Sequence, residues 1–385
     1  MRRLIFDDTH EQFRATVRDF MQREVEPNRD RWREAGIVDR EAYAKAGALG
    51  LLCTWAEARY GGAEIDDFRF EQVIIEENFQ RGDSGFYIHL HSNLVAPYIA
   101  KLGNEEQKAR FMPGIISGET ILSIAMTEPA TGSDLSGIRT RAAEDGDCWV
   151  LNGAKTYISN GILSDLCIVV ARTKPDDPRH QSLFLVERGM EGFERGRMLA
   201  KMGLKSQDTA ELFFNDCRVP KANVLGEIGQ GFRYLTRFLA QERLVASCAF
   251  MATAQAAFDL TLDFVKDRRA FGRAIGAFQN ARFKMAEMRA QLDMCQTYVD
   301  QCVLLHNSDT LSPEDAAAAK LLSSEIEGRV VDECLQLHGG AGFMDEYRIS
   351  RLYADARVDR IFAGTSEIMK EIIGRSLGLD ERKMA

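Results

Sequence analysis

A single glutamate interrupts an apolar helix face in the stretch LAQERLVA, residues 239–246. Glu242, Val245 and Ala249 recur at three- and four-residue spacing, which places them on one side of a helix. Glutamate is almost never fully buried unless it is paired or takes part in chemistry. Apolar surroundings raise the pKa of a carboxylate above its ordinary value of about 4.3 and make it a better proton acceptor. The pattern therefore indicates either a general base or a buried ion pair with the neighbouring Arg243.

Two polar segments in the middle of the chain could face a ligand. TEPATGSD (127–134) joins a predicted strand to irregular backbone. It is either a plain turn or a loop whose Thr127 and Ser133 hydroxyls and backbone amides surround a polar group. It is not a GxGxxG or Walker loop. KTYISNG (155–161) carries a weaker signal, because its side chains alternate as in any strand.

Glycine-rich helix ends form a third group of candidates. DRRAFG (267–272) ends one predicted helix and LQLHGGAGF (335–343) ends another. Gly339 and Gly340 can be simple C-terminal stops. Alternatively, they can let the backbone approach a phosphate closely while Arg268 supplies positive charge. The residues alone leave both interpretations open.

Composition excludes several classes of protein. The chain has 385 residues and a formal net charge of -9, which does not suit a protein that coats nucleic-acid phosphates. No apolar run approaches the roughly 20 residues of a membrane span. The N-terminus has acidic residues where a signal peptide would be apolar, so we expect a cytoplasmic protein. Eight scattered cysteines without a CxxC pair, and an HLHSN segment without a third ligand, predict neither a disulfide framework nor a metal site.

The elements that must position these residues change type twice along the chain. Helical spacing predicts an N-terminal all-α domain over residues 1–120. Short β-rich runs separated by turn signals predict a middle β-barrel or sandwich over 121–230. A C-terminal four-helix bundle is predicted over 231–385. Its long helical stretches cover 231–267, 279–306, 313–337 and 366–377. The expected fold is therefore a multi-domain α+β fold.

Six segments in this order resemble the acyl-CoA dehydrogenase family: TEPATGSD, KTYISNG, KMGLKSQDTAELFF, DRRAFG, QLHGGAGF and AGTSEI. The resemblance runs over essentially the whole chain and reproduces the α–β–α order. It implies that FAD lies between the middle β-domain and the C-terminal bundle, partly covered by a neighbouring subunit. It also implies a homo-oligomer, most often a tetramer, which passes electrons from an acyl-CoA substrate to an electron-transferring flavoprotein.

The resemblance assigns roles residue by residue. The cofactor-binding residues that it implies are Met126, Thr127, Ser133, Tyr157, Ile158, Ser159, Arg268, Phe271, Gln279, Gln336, Gly339, Gly340, Thr365 and Glu367. Among them, Tyr157 would cover one edge of the isoalloxazine and Ser159 would reach the N5 region. The group from Arg268 to Gly340 would hold the diphosphate and adenosine from the neighbouring subunit. The implied substrate-binding residues are Ser133, Leu239, Arg243, Ala363 and Gly364.

The family also suggests a role for the glutamate in LAQERLVA. Many members carry their catalytic base in a YEGT-like motif, but here this stretch reads FAGT, and Ala363 cannot remove a proton. The long-chain and isovaleryl-CoA branch instead has a glutamate immediately before an arginine on the first bundle helix, which Glu242 and Arg243 match. The resemblance therefore implies that Glu242 takes the α-proton while flavin N5 takes the β-hydride, giving a trans-2-enoyl-CoA. The backbone amide of Ala363 would polarise the thioester oxygen.

The acyl chain and the electron acceptor stay open. The long-chain branch fits best, so we expect straight-chain medium to long acyl-CoA, with the tail running toward a helix over 85–98 and His89 near its deep end. A branched, isovaleryl-like substrate is one alternative. A second is an acyl-CoA oxidase or flavin monooxygenase on the same fold, in which oxygen takes the electrons. A third is a non-catalytic flavin- or CoA-binding paralogue, as Ala363 suggests.

Overall fold

The computed structural model describes residues 1–380, and its first region is helical. The helices are α1 (Asp8–Phe20), α2 (Arg29–Ala35), α3 (Arg40–Ala48), α4 (Phe68–Arg81), α5 (Ala96–Leu102) and α6 (Glu105–Ser117). Helix α1 begins where the Asp7 carboxylate accepts hydrogen bonds from the backbone N–H groups of Thr9 and His10. Helix α4 is the central one, because it packs against α1 on one side and the C-terminal region on the other. A π-helical turn, Leu90–Val95, leads directly into α5.

The middle region is one mixed sheet. Its strands are β1 (Leu122–Ala125), β2 (Arg141–Asp145), β3 (Cys148–Ser159), β4 (Leu166–Arg172), β5 (Gln181–Glu187), β6 (Phe193–Met198), β7 (Thr209–Pro220) and β8 (Val224–Leu225). The strand order is β6-β7-β3-β2-β4-β5-β8, and β1 pairs in parallel with β4. The β-domain prediction is confirmed, but a closed barrel is wrong, since β6 and β8 do not pair in the part of the chain that the structure describes.

Strand β3 unites two motifs that the sequence shows as separate runs. CWVLNG (148–153) and the first five residues of KTYISNG belong to one twelve-residue strand, which ends at Ser159. Its pairing with β7 is irregular between Leu151 and Gly153 and again between Lys155 and Ile158. Tyr157 lies inside the second irregularity with a φ of 59°. Such bulges bend a strand and redirect side chains, which turns this end of β3 toward the centre of the molecule.

The C-terminal region is a helical bundle. It contains α7 (Gly231–Asp267), α8 (Gln279–Asn307), α9 (Pro313–His338), α10 (Arg348–Ala356) and α11 (Ser366–Ser376). A small hairpin of β9 (Arg269–Ala270) and β10 (Arg273–Ala274) joins α7 to α8. The four long helices are confirmed, and α10 is an addition to them. The domain boundaries at 120 and 230 stay predictions, and residues 381–385 lie outside the described residues.

Helix α7 forms the core of this bundle. It packs against α4, α8 and α9 at once. Its length and composition alone would suit a membrane span, but 78% of its most apolar window is buried inside the protein. That burial is what a core helix requires, since α7 is the element on which the other regions converge.

Gly85 allows the helical region to touch the sheet region, because it packs backbone against backbone. A Cβ at this position would lie 2.5 Å from the Gln207 backbone nitrogen and 2.8 Å from the Ser206 carbonyl carbon. We expect Gly85→Ala to lower the free energy of unfolding by about 1–3 kcal/mol, as overpacking does. Thermal unfolding of the FAD-loaded protein measures the change. Gly374→Ala is the matched control, because its Cβ meets no described atom within 4 Å. Equal midpoints for both variants would contradict the close contact at Gly85.

Candidate active site

A cavity of about 190 Å³ lies where the three regions meet. It is several times the roughly 30 Å³ that one water molecule occupies in the liquid. One wall is a row of side chains on α7 that begins at Glu242, continues through Val245, Ala249 and Phe250, and ends at Thr253. The spacing of this row is that of one helix face, as the sequence pattern predicts. The opposite walls come from the segment 84–94 and from residues near the end of α10.

Glu242 reaches this cavity as a buried carboxylate with one hydrogen-bond donor. It is 6% exposed, and the Tyr98 hydroxyl donates to its Oε1 at 2.9 Å. The Tyr98 ring packs at a tilted angle against Phe238 with centroids 4.2 Å apart, which holds the donor in place. Burial raises the pKa of Glu242 to about 7, although the Tyr98 hydrogen bond and the charge of Arg243 both lower it. A carboxyl group with this pKa can take up or release a proton near neutral pH.

Arg243 does not form the ion pair that the sequence left open. Its guanidinium has no hydrogen-bond or ion-pair partner among residues 1–380, and its Nε is fully buried. Burial lowers the pKa of Arg243 despite the neighbouring Glu242. Burying a charge without a partner costs on the order of several kcal/mol. The unpaired guanidinium therefore marks a place where an anionic group would be stabilised.

The mouth of the cavity collects residues from both polar motifs. Met126, Thr127, Tyr157, Ile158 and Ser159 line it. The backbone carbonyl of Thr127 accepts a hydrogen bond at 3.0 Å from the Thr156 N–H in β3, which ties the two motifs together. Tyr157 is 70% exposed there in spite of its size. The sequence-predicted residues of these two motifs thus meet in space, with one exception.

That exception is Ser133, which is exposed on the loop and does not line the cavity as far as the structure describes it. The sequence reading also missed what holds this loop, a buried ion pair. The Lys155 ammonium is fully buried and donates to Glu128 Oε1 at 2.9 Å and to the Met126 carbonyl at 3.0 Å. Burial lowers the pKa of Lys155 to about 8. The opposite charges of Glu128 and Lys155, one in each polar motif, are the feature of the sequence that could have suggested the pair.

Of the candidate residues just before and within α11, some line the cavity and others lie away from it. Ala363 lines the cavity with a φ of 52°, and its backbone N–H has no hydrogen-bond partner within the described chain. Gly364 follows, and its carbonyl accepts a hydrogen bond from Lys320 at 2.7 Å. The Thr365 hydroxyl caps α11 by accepting the Ile368 N–H at 3.3 Å. Glu367 is exposed.

Leu239 lies on α7 three residues before Glu242 and is half-buried. It is not among the described residues that line the cavity. Its position near the start of the Glu242 row leaves room for a contact with a ligand outside the cavity.

The remaining candidates gather at the far end of the bundle. These are Arg268, Phe271, Gln279, Gln336, Gly339 and Gly340. Stacked rings of Phe264 and His338, with centroids 4.2 Å apart, bring the ends of α7 and α9 together. Phe271 is 95% exposed at a φ of 52°. Gly339 has φ 59° and ψ -137°, a conformation open essentially to glycine alone.

This far end is remote from the cavity of the same chain. Arg268 follows Thr253, the last α7 residue that lines the cavity, by 15 positions. At a rise of 1.5 Å per residue this is roughly 22 Å. The chain therefore carries two separate groups of candidate residues, one at the cavity and one at the bundle end.

The raised pKa of Glu242 predicts a pH-dependent change in stability. A folded-state pKa of about 7, above the ordinary 4.5, means that the carboxylate destabilises the folded state increasingly as pH rises from 4.5 to 7. Glu242→Gln keeps an acceptor for Tyr98 without the charge. We expect it to raise the unfolding free energy by roughly 2–3 kcal/mol at pH 8 and by little at pH 5. Thermal unfolding at both pH values measures this, with the exposed Glu191→Gln as control. A Glu242→Gln effect that is the same at both pH values would contradict the buried carboxylate.

Comparison with known proteins gives a consistent result. The long-chain specific acyl-CoA dehydrogenase of Sus scrofa mitochondria is 46% identical over 382 residues, which cover 98% of this chain and 89% of that protein. The mitochondrial isovaleryl-CoA dehydrogenase of Pongo abelii is 36% identical, over 96% of this chain and 88% of the relative.

Solved structures agree with these relatives. An acyl-CoA dehydrogenase from Geobacillus kaustophilus superposes with a TM-score of 0.95 at 45% identity, over 97% of this chain and 98% of that chain. A glutaryl-CoA dehydrogenase from Mycobacterium smegmatis in complex with FADH2 superposes with a TM-score of 0.91 at 28% identity, over 97% and 95%.

Family models cover nearly the whole chain. The N-terminal, middle and C-terminal domains of acyl-CoA dehydrogenases match residues 7–119, 123–217 and 229–378 respectively. The chain therefore belongs to the acyl-CoA dehydrogenase family and is an FAD-dependent oxidoreductase that dehydrogenates acyl-CoA.

Proposed function

We propose that this protein dehydrogenates medium- to long-chain acyl-CoA between the α- and β-carbons, with Glu242 as the base. The observation that carries the proposal is a buried carboxylate, with its pKa near 7, at one end of a largely apolar cavity. Ala363, in the position that many relatives use for the base, lines the same cavity and has no group that could accept the proton.

The chain's own groups suit this proton transfer. An ionised Glu242 can accept the α-proton, and the surrounding Val245 and Ala249 exclude water that would weaken the carboxylate as a base. The backbone N–H of Ala363, which has no partner among the described residues, can donate a hydrogen bond to the thioester oxygen. Arg243 offers its unpaired charge to an anionic part of CoA.

The residues at the cavity mouth fit FAD. When bound, FAD accepts the β-hydride that the substrate loses together with the α-proton, giving a trans-2-enoyl-CoA. Tyr157 presents an exposed ring from a strained, bulged strand, and such strain of about 1–3 kcal/mol is kept mainly at functional sites. A planar cofactor packed on that ring would account for its exposure. Met126, Thr127, Ile158 and Ser159 are the neighbours that would complete this wall.

We also propose that a neighbouring subunit completes the cofactor site in a homotetramer. The bundle end that carries Arg268, Gln336 and Gly340 does not line the described cavity of its own chain, and Arg268 lies roughly 39 Å along α7 from Glu242. Its exposed Phe271 and the open backbone at Gly339 instead suit a contact with the cofactor of another subunit. Ser133, Gln279, Thr365 and Glu367 keep the cofactor roles that the family resemblance implies.

The length of the cavity favours a long acyl chain over a branched short one. The lining row on α7 runs from Glu242 to Thr253. Eleven residues of α-helix span about 16 Å. A branched five-carbon chain would leave most of that row uncovered, so the isovaleryl-like alternative fits less well.

Electron-transferring flavoprotein as the electron acceptor rests on family resemblance alone; oxygen consumption by the reduced enzyme would indicate the oxidase instead. The cytoplasmic location is an expectation from the sequence and stays a prediction, while the Sus scrofa relative is named as mitochondrial.

The role of Glu242 can be tested by anaerobic bleaching of the flavin absorbance with palmitoyl-CoA. We expect Glu242→Gln to slow bleaching by about 10²–10⁴-fold, the usual contribution of a general base. FAD content is measured first, and Glu191→Gln serves as the control. Bleaching at the parent rate in Glu242→Gln would show that another group removes the proton. Failure of the parent protein with every acyl-CoA of a broad panel would favour the non-catalytic alternative.

Tyr98 should set the pH at which the base becomes active. Because its hydrogen bond lowers the pKa of Glu242, its loss in Tyr98→Phe should raise that pKa further. The acid limb of the kcat/KM profile, expected near pH 7 in the parent, should therefore move to higher pH by roughly one unit. Tyr43→Phe is the control, because this buried hydroxyl contacts Asn160 instead. An unmoved limb in Tyr98→Phe would separate Tyr98 from the titrating group.

A further inference from the structure

We propose that the deep end of the cavity is a polar subsite for a hydroxyl group at the far end of the acyl chain, so that ω-hydroxyacyl-CoA thioesters are preferred substrates. The proposal rests on the long-chain dehydrogenation proposed above. It concerns the opposite end of the cavity from Glu242. The walls between the two ends are apolar, with Leu90, Leu94 and Phe250 among them.

Three polar side chains face this deep end. Tyr87, His89 and Asp359 line the cavity and are 5%, 8% and 8% exposed. The His89 Nδ1 is buried without a hydrogen-bond partner in the described chain, and Tyr87 lines the cavity beside it. Each buried polar group left unpaired costs about 1–3 kcal/mol. A purely hydrocarbon chain end would leave the His89 Nδ1 unpaired, whereas a hydroxyl can pair with it.

Asp359 is backed by a second carboxyl group. Glu327 is fully buried behind it, close enough to Asp359 and Thr253 to interact with both. Burial and the nearby Asp359 raise the pKa of Glu327 well above its ordinary value. Burial also raises the pKa of Asp359 to about 7; the charge of Asp355 adds to this, while the interaction with Glu327 and the charge of Lys320 oppose it.

This arrangement selects among possible chain ends. A terminal carboxylate would bring a further negative charge beside Asp355 and Asp359 and is disfavoured, since the Lys320 ammonium, whose charge also acts on Asp359, is already engaged by the Gly364 carbonyl. Asp355 itself is already occupied, since it accepts hydrogen bonds from Ser84 and from the Leu204 backbone. A neutral hydroxyl can donate to Asp359 and accept from Tyr87. It brings no charge that must be desolvated.

The position of the subsite sets a chain length. Thr253, the last member of the α7 row, lies against Glu327 and so marks the depth of the polar wall. It is about 16 Å along the helix from Glu242. An extended acyl chain advances roughly 1.3 Å per carbon, because each C–C bond of 1.5 Å is tilted to the chain axis. A hydroxyl on a chain of about 14–16 carbons would therefore reach the wall.

The test compares three chain ends at equal length on the FAD-loaded enzyme. Hexadecanoyl-CoA, 16-hydroxyhexadecanoyl-CoA and hexadecanedioyl-CoA are assayed for kcat/KM in the parent. Their binding to Glu242→Gln is measured by calorimetry, which needs no turnover. We expect the hydroxylated chain to exceed the plain chain at least tenfold, or about 1.4 kcal/mol, and the dicarboxylate to be weakest. Equal values, or a preference for the plain or dicarboxylate chain, would overturn the proposal.

Variants of the polar residues at the deep end test where the preference for the hydroxyl group arises. Asp359→Leu should abolish the preference for the hydroxyl, whereas Asp359→Asn, which keeps an acceptor oxygen, should retain most of it. Asp176→Leu on an exposed turn is the control. If Asp359→Leu does not fold, Tyr87→Phe supplies the second test. A preference that survives in both Asp359→Leu and Tyr87→Phe would place its origin elsewhere and overturn the assignment.

The outcomes also separate this proposal from the one on which it rests. Turnover of hexadecanoyl-CoA without any gain from the hydroxyl leaves the dehydrogenation intact and removes only the polar subsite. Absence of turnover with all three thioesters, or full turnover by Glu242→Gln, would instead count against the proposed function.

Discussion

The structure depends on keeping one carboxylate out of water with only a phenol as its hydrogen-bond donor. Glu242 comes from α7 and Tyr98 from α5, so the group is held jointly by the first and last regions of the chain. Such a group keeps its raised pKa only while both elements stay packed. The long contacts of α7 with α4, α8 and α9 provide that packing. The sheet then closes the remaining side of the cavity with the bulged end of β3.

Local features of the sequence were sufficient for the long helices of the bundle and for the face that carries Glu242. The 3.6-residue period of a helix is visible in residues that are close together in the sequence. The extent of α7 and the face that carries Glu242 could therefore be predicted. Sheet structure was harder, because strand pairing joins distant residues. Strands β2 and β6, RAAED and FERGRM, lack apolar runs, so their sequences carry no strand signal. The open edges of the sheet follow from pairings that no single segment shows.

The hydrogen-bond and ion-pair partners of the site residues also could not be predicted from the sequence. Tyr98 is 144 positions from Glu242, and Lys155 is 27 positions from Glu128. Neither pairing leaves a mark in local spacing. Arg243 shows the reverse case, since adjacency to Glu242 suggested an ion pair that their side chains do not form. Asp359 lies in no motif that the sequence singled out, and only the folding of the chain brings it to the cavity.

Helix α7 has one further consequence, because it carries Glu242 near one end and Arg268 directly after the other. In the proposed oligomer these two residues of one chain serve different cofactors. A subunit with a defective base and a subunit with a defective bundle end would then inactivate different active sites. A mixed assembly of the two would contain some sites that escape both defects, so two inactive forms of the chain would complement each other.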